Sequence, residues 1–372
     1  MEYQIQKNMF EDVQLMRVFI AGASNGPFDM RMDRINALYH HLRHAGLSKK
    51  WPSMAGLRTF LEETSDENPY VPHMIRAAYH KSKAIPAAPR RFIEQWKEEM
   101  GAIETLPINP EDFIAVIDAL PPVRDAFAAN NRHDSDYYFS KYAEWYVSLH
   151  YARQMKARTL VDVGAAYDGF ARTLTSLMGD THVTMLDLAF KKGLHKRSER
   201  IACLGADAAD MSAIATNSVD LVCMHNAFEH FAGDSDMGCL REAERILRPG
   251  GKVLITPFFF AHRHSITVNP AACFLFEEQG ELPQKVCEEL RWADARLDYN
   301  HRILSPYARR YDLGSTRQRI LNSVPQLSAR LLTCAFEPKP RQDFTSAHLS
   351  GIACRPDLFE HTLFHYLELS KP

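Results

Sequence analysis

The sequence predicts an α/β fold, a mostly parallel sheet with helices on both faces. Strand-like apolar runs recur from Leu160 onward, and the segments between them are long enough for crossover helices. The first run enters a tight Gly/Ala turn that opens a helical pattern near Phe170. A later helix passes through a Pro-Gly-Gly turn into another run at Arg245–Gly251. The predicted strands are Leu160–Val163, Val183–Leu188, Ile201–Leu204, Leu221–Met224, Lys252–Pro257 and Leu331–Phe336.

Composition narrows the class of protein. The 372 residues are 46% hydrophobic and 24% charged, and the formal net charge of -2 gives no electrostatic reason to expect a nucleic-acid partner. No apolar stretch reaches transmembrane length, and the first residues lack the pattern of a signal peptide. The 7 cysteines show no CxxC spacing, which favours reduced thiols over a disulfide or zinc framework. We therefore expect a cytoplasmic protein with no membrane partner and assign it no metal site.

The pattern along the chain predicts two domains. Residues 1–133 read as helices punctuated by Pro and Gly, which predicts a helical N-terminal domain. A polar break near 130–136 separates it from the strand-and-helix region of residues 134–372. Within that region, an Arg-rich and aromatic segment at about 262–330 interrupts the alternation of predicted strands and helices. We expect this inserted segment to be helical and to pack over the carboxyl edge of the sheet.

Polar residues end three of the predicted strands. The first strand runs through Asp162 into the turn at Gly164, which leaves backbone N–H groups and a helix N-terminus at the carboxyl edge of the sheet. Asp187 ends the second strand, where a carboxylate accepts hydrogen bonds from ribose hydroxyls. Asp207 follows the third strand, within reach of an adenine amine. Together these residues predict a nucleotide-like cofactor at this edge.

These residues resemble the class I S-adenosylmethionine-dependent methyltransferases over about Tyr138 to Pro257. The resemblance is carried by the Asp-Val-Gly turn, by Asn-Ser-Val-Asp-Leu-Val at 217–222, by Glu-His-Phe at 229–231 and by the run at 241–255 that contains Arg-Pro-Gly-Gly. It implies a Rossmann-like sheet of seven strands, of which the last is antiparallel, and S-adenosylmethionine as the cofactor. A nicotinamide-dependent oxidoreductase shares the first strand and turn, but the Arg-Pro-Gly-Gly run argues against it.

The resemblance also implies the cofactor contacts. Gly164 lets the methionine part approach the backbone, Asp187 holds the ribose, and Asp207 and Ala208 flank the adenine. The full predicted set is Asp162, Gly164, Ala165, Tyr167, Asp168, Gly169, Asp187, Leu188, Asp207, Ala208, His225 and Asn226.

The turn departs from the family pattern of alternating glycines. Ala166 and Asp168 stand where glycines are usual, and Gly169 comes one residue late. Two interpretations of Asp168 stay open: its carboxylate pairs with the amino group of the cofactor, or it caps the following helix. The same departure motivates an alternative function, that of a cofactor-binding or interaction protein that keeps the fold without turnover.

Three histidines are candidate catalytic residues. His225 follows the fourth strand, and His262 and His264 follow the fifth with the same alternation parity. Methyl transfer needs an in-line approach with water excluded, and needs a base only when the acceptor loses a proton. The histidines therefore act as a base, bind a metal or an anionic acceptor group, or satisfy local hydrogen bonds.

The acceptor is expected to be a small molecule. Arg309 and Arg310 are candidates to bind an anionic group on it, although a solvated helical face explains them too. Tyr138 and Tyr142 are candidates for an aromatic wall of the acceptor site, with core packing as the alternative. Assembly of several copies stays open.

Overall fold

The structure, a computed structural model, describes residues 90–113, 135–165, 168–268, 289, 296–299, 307–337 and 364–372. The described residues fall into two compact units. The larger unit contains the main sheet and its helices. The described parts of the smaller unit are 230–233, 263–268, 289, 296–299 and 307–310.

The longer helices are α1 (Arg90–Glu99), α2 (Ser135–Met155), α3 (Gly169–Leu177) and α4 (Ser235–Ile246). Short helical turns lie at Phe228–His230, Leu313–Ser315, Thr316–Ile320 and Leu321–Ser323. The strands of the larger unit are β1 (Glu104–Ile108), β2 (Thr159–Val163), β3 (His182–Leu186), β4 (Gly193–Lys196), β5 (Ile201–Gly205), β6 (Val219–His225), β7 (Leu247–Thr256), β11 (Ser328–Phe336) and β12 (Phe364–Ser370). Those of the smaller unit are β8 (Ser265–Val268), β9 (Arg296–Tyr299) and β10 (Tyr307–Arg310).

The main sheet has the order β1-β11-β12-β7-β6-β2-β3-β5-β4. Parallel pairing joins β7, β6, β2, β3 and β5. β12 runs antiparallel to both of its neighbours, β7 and β11. The predicted mostly parallel sheet is therefore confirmed, and β12 is the antiparallel last strand that the resemblance implies.

The prediction of seven strands is wrong, because the described sheet has nine. β1 pairs with β11 at one edge, and β4 pairs with β5 at the other. Both are short and suited to an edge. Pro107 in β1 has no N–H to donate, and β4 ends in Lys196, whose charge discourages further pairing. Such runs lack the sustained apolar pattern that identifies a strand in a sequence.

The predicted N-terminal domain is described only over residues 90–113, and this stretch belongs to the larger unit. Its strand β1 is hydrogen-bonded into the main sheet. A boundary at residue 133 therefore does not separate this stretch from the sheet. Residues 1–89 and 114–133 lie outside the described residues, so the remainder of the helical domain stays a prediction.

The helical prediction for the inserted segment is wrong at 265–268, 296–299 and 307–310, which are strands, and holds at 313–323, where short helical turns follow one another. β8 pairs antiparallel with β10 and parallel with β9 in a separate sheet of three strands. β8 contains Ile266, Thr267 and Val268, whose branched side chains favour strands. From Tyr311 the chain is again part of the larger unit.

The centre of the main sheet is buried on both faces, as in parallel strands covered by helices. Leu221 and Met224 of β6 are fully buried, and Leu149 of α2 belongs to the same apolar cluster as Leu160 of β2. The buried cysteines at 223, 239 and 334 are free thiols whose pKa values burial raises.

A buried carboxylate fastens β12 to its neighbours. Glu368 is 1% exposed. It accepts hydrogen bonds from the side chains of Tyr151 in α2, Lys252 in β7, Arg330 in β11 and Ser370 in β12. Burial opposes ionisation of this group, but the hydrogen bonds outweigh burial and lower the pKa of Glu368 to about 2. One ionised side chain thus links three strands to α2.

Candidate functional site

The turn after β2 is held by backbone hydrogen bonds and close packing. The N–H groups of Gly164 and Ala165 donate to the carbonyl oxygen of Leu186, at 2.8 and 3.2 Å. Gly164 has a φ of 75°, which favours glycine. A Cβ atom at Gly164 would lie 2.5 Å from the Cβ of Ala227, so a larger residue does not fit. Tyr167, a predicted cofactor contact, lies outside the described residues.

The carboxylate near the end of β2 contacts a histidine. Asp162 is buried, and its Oδ1 lies 3.0 Å from Nδ1 of His225 at the end of β6. Nε2 of His225 lies 2.8 Å from Oγ of Ser148 in α2. Phe170 packs against the same imidazole, with ring centres 4.4 Å apart. Both nitrogens of His225 have protein partners, an arrangement that suits a positioning residue, and its predicted catalytic role stays a prediction.

The residue after β6 is anchored to α2 and β7. Asn226 has a φ of 47°, a conformation that asparagine tolerates better than most residues. Its side-chain amide donates to Oε1 of Glu144 at 2.7 Å, and its backbone N–H donates to the carbonyl oxygen of Thr256 at 2.8 Å. The sequence predicted Asn226 but not Glu144. Nothing in the local pattern of α2 signals a partner 82 residues away.

The carboxylate after β3 is accessible to a ligand. Asp187 is half-buried, and its Oδ1 accepts the backbone N–H of Ala189 at 2.8 Å. Burial raises the pKa of Asp187, the charge of nearby Asp162 raises it further, and the hydrogen bond from Ala189 opposes them. Leu188, the next residue, is 76% exposed. A polar acceptor and an apolar surface thus lie side by side where β3 ends.

The predicted adenine contacts follow β5. Asp207 is exposed, and its Oδ1 accepts the backbone N–H of Ala209 at 2.8 Å. Ala208 between them is buried. The sheet order places the end of β5 beside the end of β3, so the structure brings Asp207 and Asp187 to neighbouring strand ends.

Asp168 stands at the position that caps α3, but its side chain makes no capping hydrogen bond. The cap interpretation of that side chain is therefore wrong. Its Oδ2 is bound by Arg172 at 2.8 Å and by Arg197, beyond β4, at 2.9 Å. Burial would raise the pKa of Asp168, but the two arginines outweigh it and lower the pKa. Pairing with the cofactor amino group stays a prediction. Gly169 opens α3 and is buried.

Two predicted site residues of the smaller unit share one buried carboxylate. Nε2 of His264 lies 2.7 Å from Oε1 of Glu289, and Nη2 of Arg309 lies 2.7 Å from Oε2 of the same residue. Arg309 is fully buried and also donates to the carbonyl oxygen of Gly233 at 2.9 Å. The interpretation of Arg309 as a solvated helical residue is wrong, because it lies buried in β10. Arg310 is exposed in the same strand.

The remaining predicted site residues are His262, Tyr138 and Tyr142. His262 is exposed in the larger unit. Tyr138 and Tyr142 lie in α2, but their side chains are outside what the structure describes. Across the described ranges no group of His, Cys, Asp or Glu side chains is placed to hold a metal ion. Within the same ranges no helix has the length and apolarity to cross a membrane.

Residues 161–255, from β2 to β7, match a family model described as a methyltransferase domain. This stretch of the chain is a methyltransferase domain. No curated protein matches the chain in sequence. Similar solved structures include the Burkholderia thailandensis 1,6-didemethyltoxoflavin-N1-methyltransferase with bound S-adenosylhomocysteine, at 13% identity over 72% of this chain and 93% of that one, with a TM-score of 0.38. The plantazolicin methyltransferase BpumL, also with S-adenosylhomocysteine, has 12% identity over 76% of this chain and 99% of that one, with a TM-score of 0.33.

The strand ends of the methyltransferase domain fit its cofactor. S-adenosylmethionine presents ribose hydroxyl donors and a flat, largely apolar adenine. Asp187 offers a half-buried acceptor with a raised pKa, and Leu188 offers the large exposed apolar surface beside it. Contact of these two residues with a bound nucleoside stays a prediction.

We expect Asp187→Ala to weaken S-adenosylhomocysteine binding by about 1–3 kcal/mol, roughly 5- to 150-fold, because ribose hydroxyls lose their acceptor. Calorimetric titration measures the change. Asp210→Ala is the matched control, since Asp210 makes a similar local bond to the N–H of Ser212 and is not a predicted ligand. Equal affinities for the Asp187 variant and the wild type would show that the ribose lies elsewhere.

Proposed function

We propose that this methyltransferase domain transfers the methyl group of S-adenosylmethionine to a small-molecule acceptor in the cytoplasm. The observation that carries the proposal is the row of suitable groups at adjacent strand ends. Gly164 follows β2, Asp187 follows β3, Asp207 follows β5 and Asn226 follows β6. The carboxyl ends of parallel strands in open α/β sheets are where ligands bind.

Each group has a separate task in this proposal. The carboxylate of Asp187 accepts hydrogen bonds from the ribose hydroxyls, and Leu188 covers one face of the adenine. Asp207 accepts a hydrogen bond from the adenine amine, beside buried Ala208. The close packing at Gly164 places the methionine part against the backbone.

The bound cofactor supplies an electrophilic methyl group on a positively charged sulfur. The protein has to place the acceptor in line with the sulfur–methyl bond and to keep water out, since positioning and desolvation supply much of the rate. The Asp162–His225–Ser148 chain and the Glu144–Asn226 bond hold the ends of β2 and β6 rigidly against α2. Rigid strand ends fix the geometry of this approach.

Two features support a small acceptor. The net charge of -2 offers no general attraction for nucleic acid. The residues after β6 read His225-Asn226-Ala227-Phe228, without the Asn/Asp-Pro-Pro-aromatic sequence of many enzymes that methylate base or amide nitrogens. Roles for His262, His264, Arg309 and Arg310 in acceptor chemistry belong to the same proposal.

The alternative is a protein that binds the cofactor without turnover, and the arginine-bound Asp168 in place of a glycine favours it. Calorimetry with S-adenosylmethionine, S-adenosylhomocysteine and NAD tests the cofactor site. We expect both adenosyl ligands to bind and NAD not to bind. Tight binding of NAD alone would overturn the proposal, and methyl transfer to a metabolite extract separates the enzyme from the binding protein.

A further inference from the structure

His365 lies at the same edge of the sheet as the cofactor residues. It is the second residue of β12, which runs antiparallel to β7, so the start of β12 lies beside the end of β7. The N–H of Phe258, just beyond β7, donates to the carbonyl oxygen of His365 at 2.7 Å. β6, β7 and β12 are consecutive in the sheet. With neighbouring strands about 4.8 Å apart, His365 lies roughly 10 Å across the sheet from the end of β6.

The surroundings of the His365 ring are aromatic. Its imidazole packs edge-on against Phe260, with ring centres 5.3 Å apart and planes at 82°. Phe260 stacks on Phe92 of α1 at 4.2 Å, and Phe258 lies 5.9 Å from Phe260. These phenylalanines are buried, whereas His365 is only half-buried. The imidazole therefore stands at the accessible rim of an aromatic cluster.

The two ring nitrogens of His365 are also available to a ligand. In the described part of the chain, no hydrogen bond or ion pair engages either of its nitrogens. Burial alone lowers its pKa to about 4, so the ring is neutral at physiological pH. His225 differs, because Asp162 and Ser148 contact both of its nitrogens. A neutral imidazole without a partner is available to accept a proton.

We propose, on the basis of the proposed methyl transfer, that His365 is a catalytic residue that accepts the proton of a hydroxyl group on an uncharged aromatic acceptor. The acceptor ring lies against the imidazole at the accessible rim of the aromatic cluster, where aromatic faces and edges are favourable partners. Its hydroxyl oxygen attacks the methyl carbon, the sulfur–methyl bond breaks, and the electron pair of that bond stays on sulfur. The hydroxyl proton passes to the imidazole and from there to water. The products are a methyl ether and S-adenosylhomocysteine.

The environment of His365 favours oxygen over an amine nitrogen as the acceptor atom. A protonated ether is a far stronger acid than any imidazolium, so the proton moves downhill even to a ring in apolar surroundings. A methylated alkyl ammonium is a weaker acid than imidazolium and would keep its proton. The absence of a charged partner on the ring in the described region fits an acceptor that is neutral.

The test uses S-adenosylmethionine labelled with 13C in its methyl group. One reaction contains a low-mass metabolite extract, and a second contains equal amounts of 2-naphthol and 2-(aminomethyl)naphthalene, an aromatic hydroxyl compound and an alkyl amine of similar size. Carbon NMR distinguishes a methoxy product from an N-methyl product. We expect 2-methoxynaphthalene in the second reaction. His365→Gln lowers its rate roughly 100-fold or more, as loss of a general base does, with S-adenosylhomocysteine affinity unchanged.

Two further variants control for folding. His365→Phe suits the aromatic surroundings and is used if the glutamine variant does not fold. His150→Gln replaces another half-buried histidine of lowered pKa, in the last third of α2, and leaves the rate unchanged.

The outcomes separate the inference from the function on which it rests. An N-methyl product, unchanged rates in the His365 variants, or transfer to the extract with neither naphthalene methylated would overturn the inference and leave the proposed function standing. No labelled product in either reaction would overturn the proposed function itself.

Discussion

Gly164→Ala is expected to lower the free energy of unfolding by about 2–4 kcal/mol and the affinity for S-adenosylhomocysteine at least about tenfold. The φ of 75° strains any other residue, and the new Cβ meets the Cβ of Ala227 at 2.5 Å. The turn therefore moves away from the segment after β6, and the cofactor loses its fit to the backbone. Urea denaturation and calorimetric titration measure the two effects.

Gly250→Ala separates strain from steric contact. Gly250 has a φ of 78°, and a Cβ there meets no atom within 4 Å. We expect a loss of about 1–2 kcal/mol from backbone strain alone, with the cofactor affinity unchanged. If Gly164→Ala and Gly250→Ala had the same affinity for S-adenosylhomocysteine, close packing at Gly164 would have no part in cofactor binding.

Glu368→Gln is expected to lower the free energy of unfolding by about 3 kcal/mol, the lower end of the range for a broken buried ion pair. The amide cannot neutralise Lys252 and Arg330, which would stay beside it. The loss stays at the lower end because the side chain of Arg330 is 45% exposed and regains water. Glu104→Gln is the matched control, since Glu104 pairs with the same arginine but is 58% exposed. Its removal costs less than about 1 kcal/mol.

The change in the free energy of unfolding at acidic pH provides a second test of the role of Glu368. The folded protein holds the pKa of Glu368 at about 2, below the ordinary value of 4.5. The stability from this group is thus complete above pH 4.5 and is lost as the pH falls toward 2, a change of at most about 3 kcal/mol. The glutamine variant lacks this contribution. Parallel acid slopes for the wild type and the variant would contradict the assignment.

The fold was predictable where burial leaves a pattern in the sequence. β2, β3, β5, β6 and β7 lie inside the sheet, and their apolar runs are near-continuous for that reason. The edge strands β1 and β4 carry polar residues and a proline, so the same signal is weak. The strands of the smaller unit are not evident in the sequence, because β8 is a run of only four residues and β9 and β10 consist largely of arginine, tyrosine and other residues without an alternating pattern.

The position of residues that follow a buried strand, such as Asp187 and Asp207, was predictable from the sequence, and their cofactor contacts stay predictions. Partners from distant segments were not predictable, because periodicity carries no information on long-range pairs. Arg197 binds Asp168 across 29 residues, and Ser148 meets His225 across 77. His365 was missed for a related reason: the resemblance implied an antiparallel last strand but did not say where it begins.

The central claim is methyl transfer to a small molecule, and the fate of the methyl group tests it most directly. The protein is incubated with tritium-labelled S-adenosylmethionine and a whole-cell extract, which is then divided into low-mass, protein and nucleic-acid fractions. We expect the label in the low-mass fraction, together with an equal amount of S-adenosylhomocysteine. Label in the protein or nucleic-acid fraction, or binding of S-adenosylmethionine without any S-adenosylhomocysteine, would contradict the account.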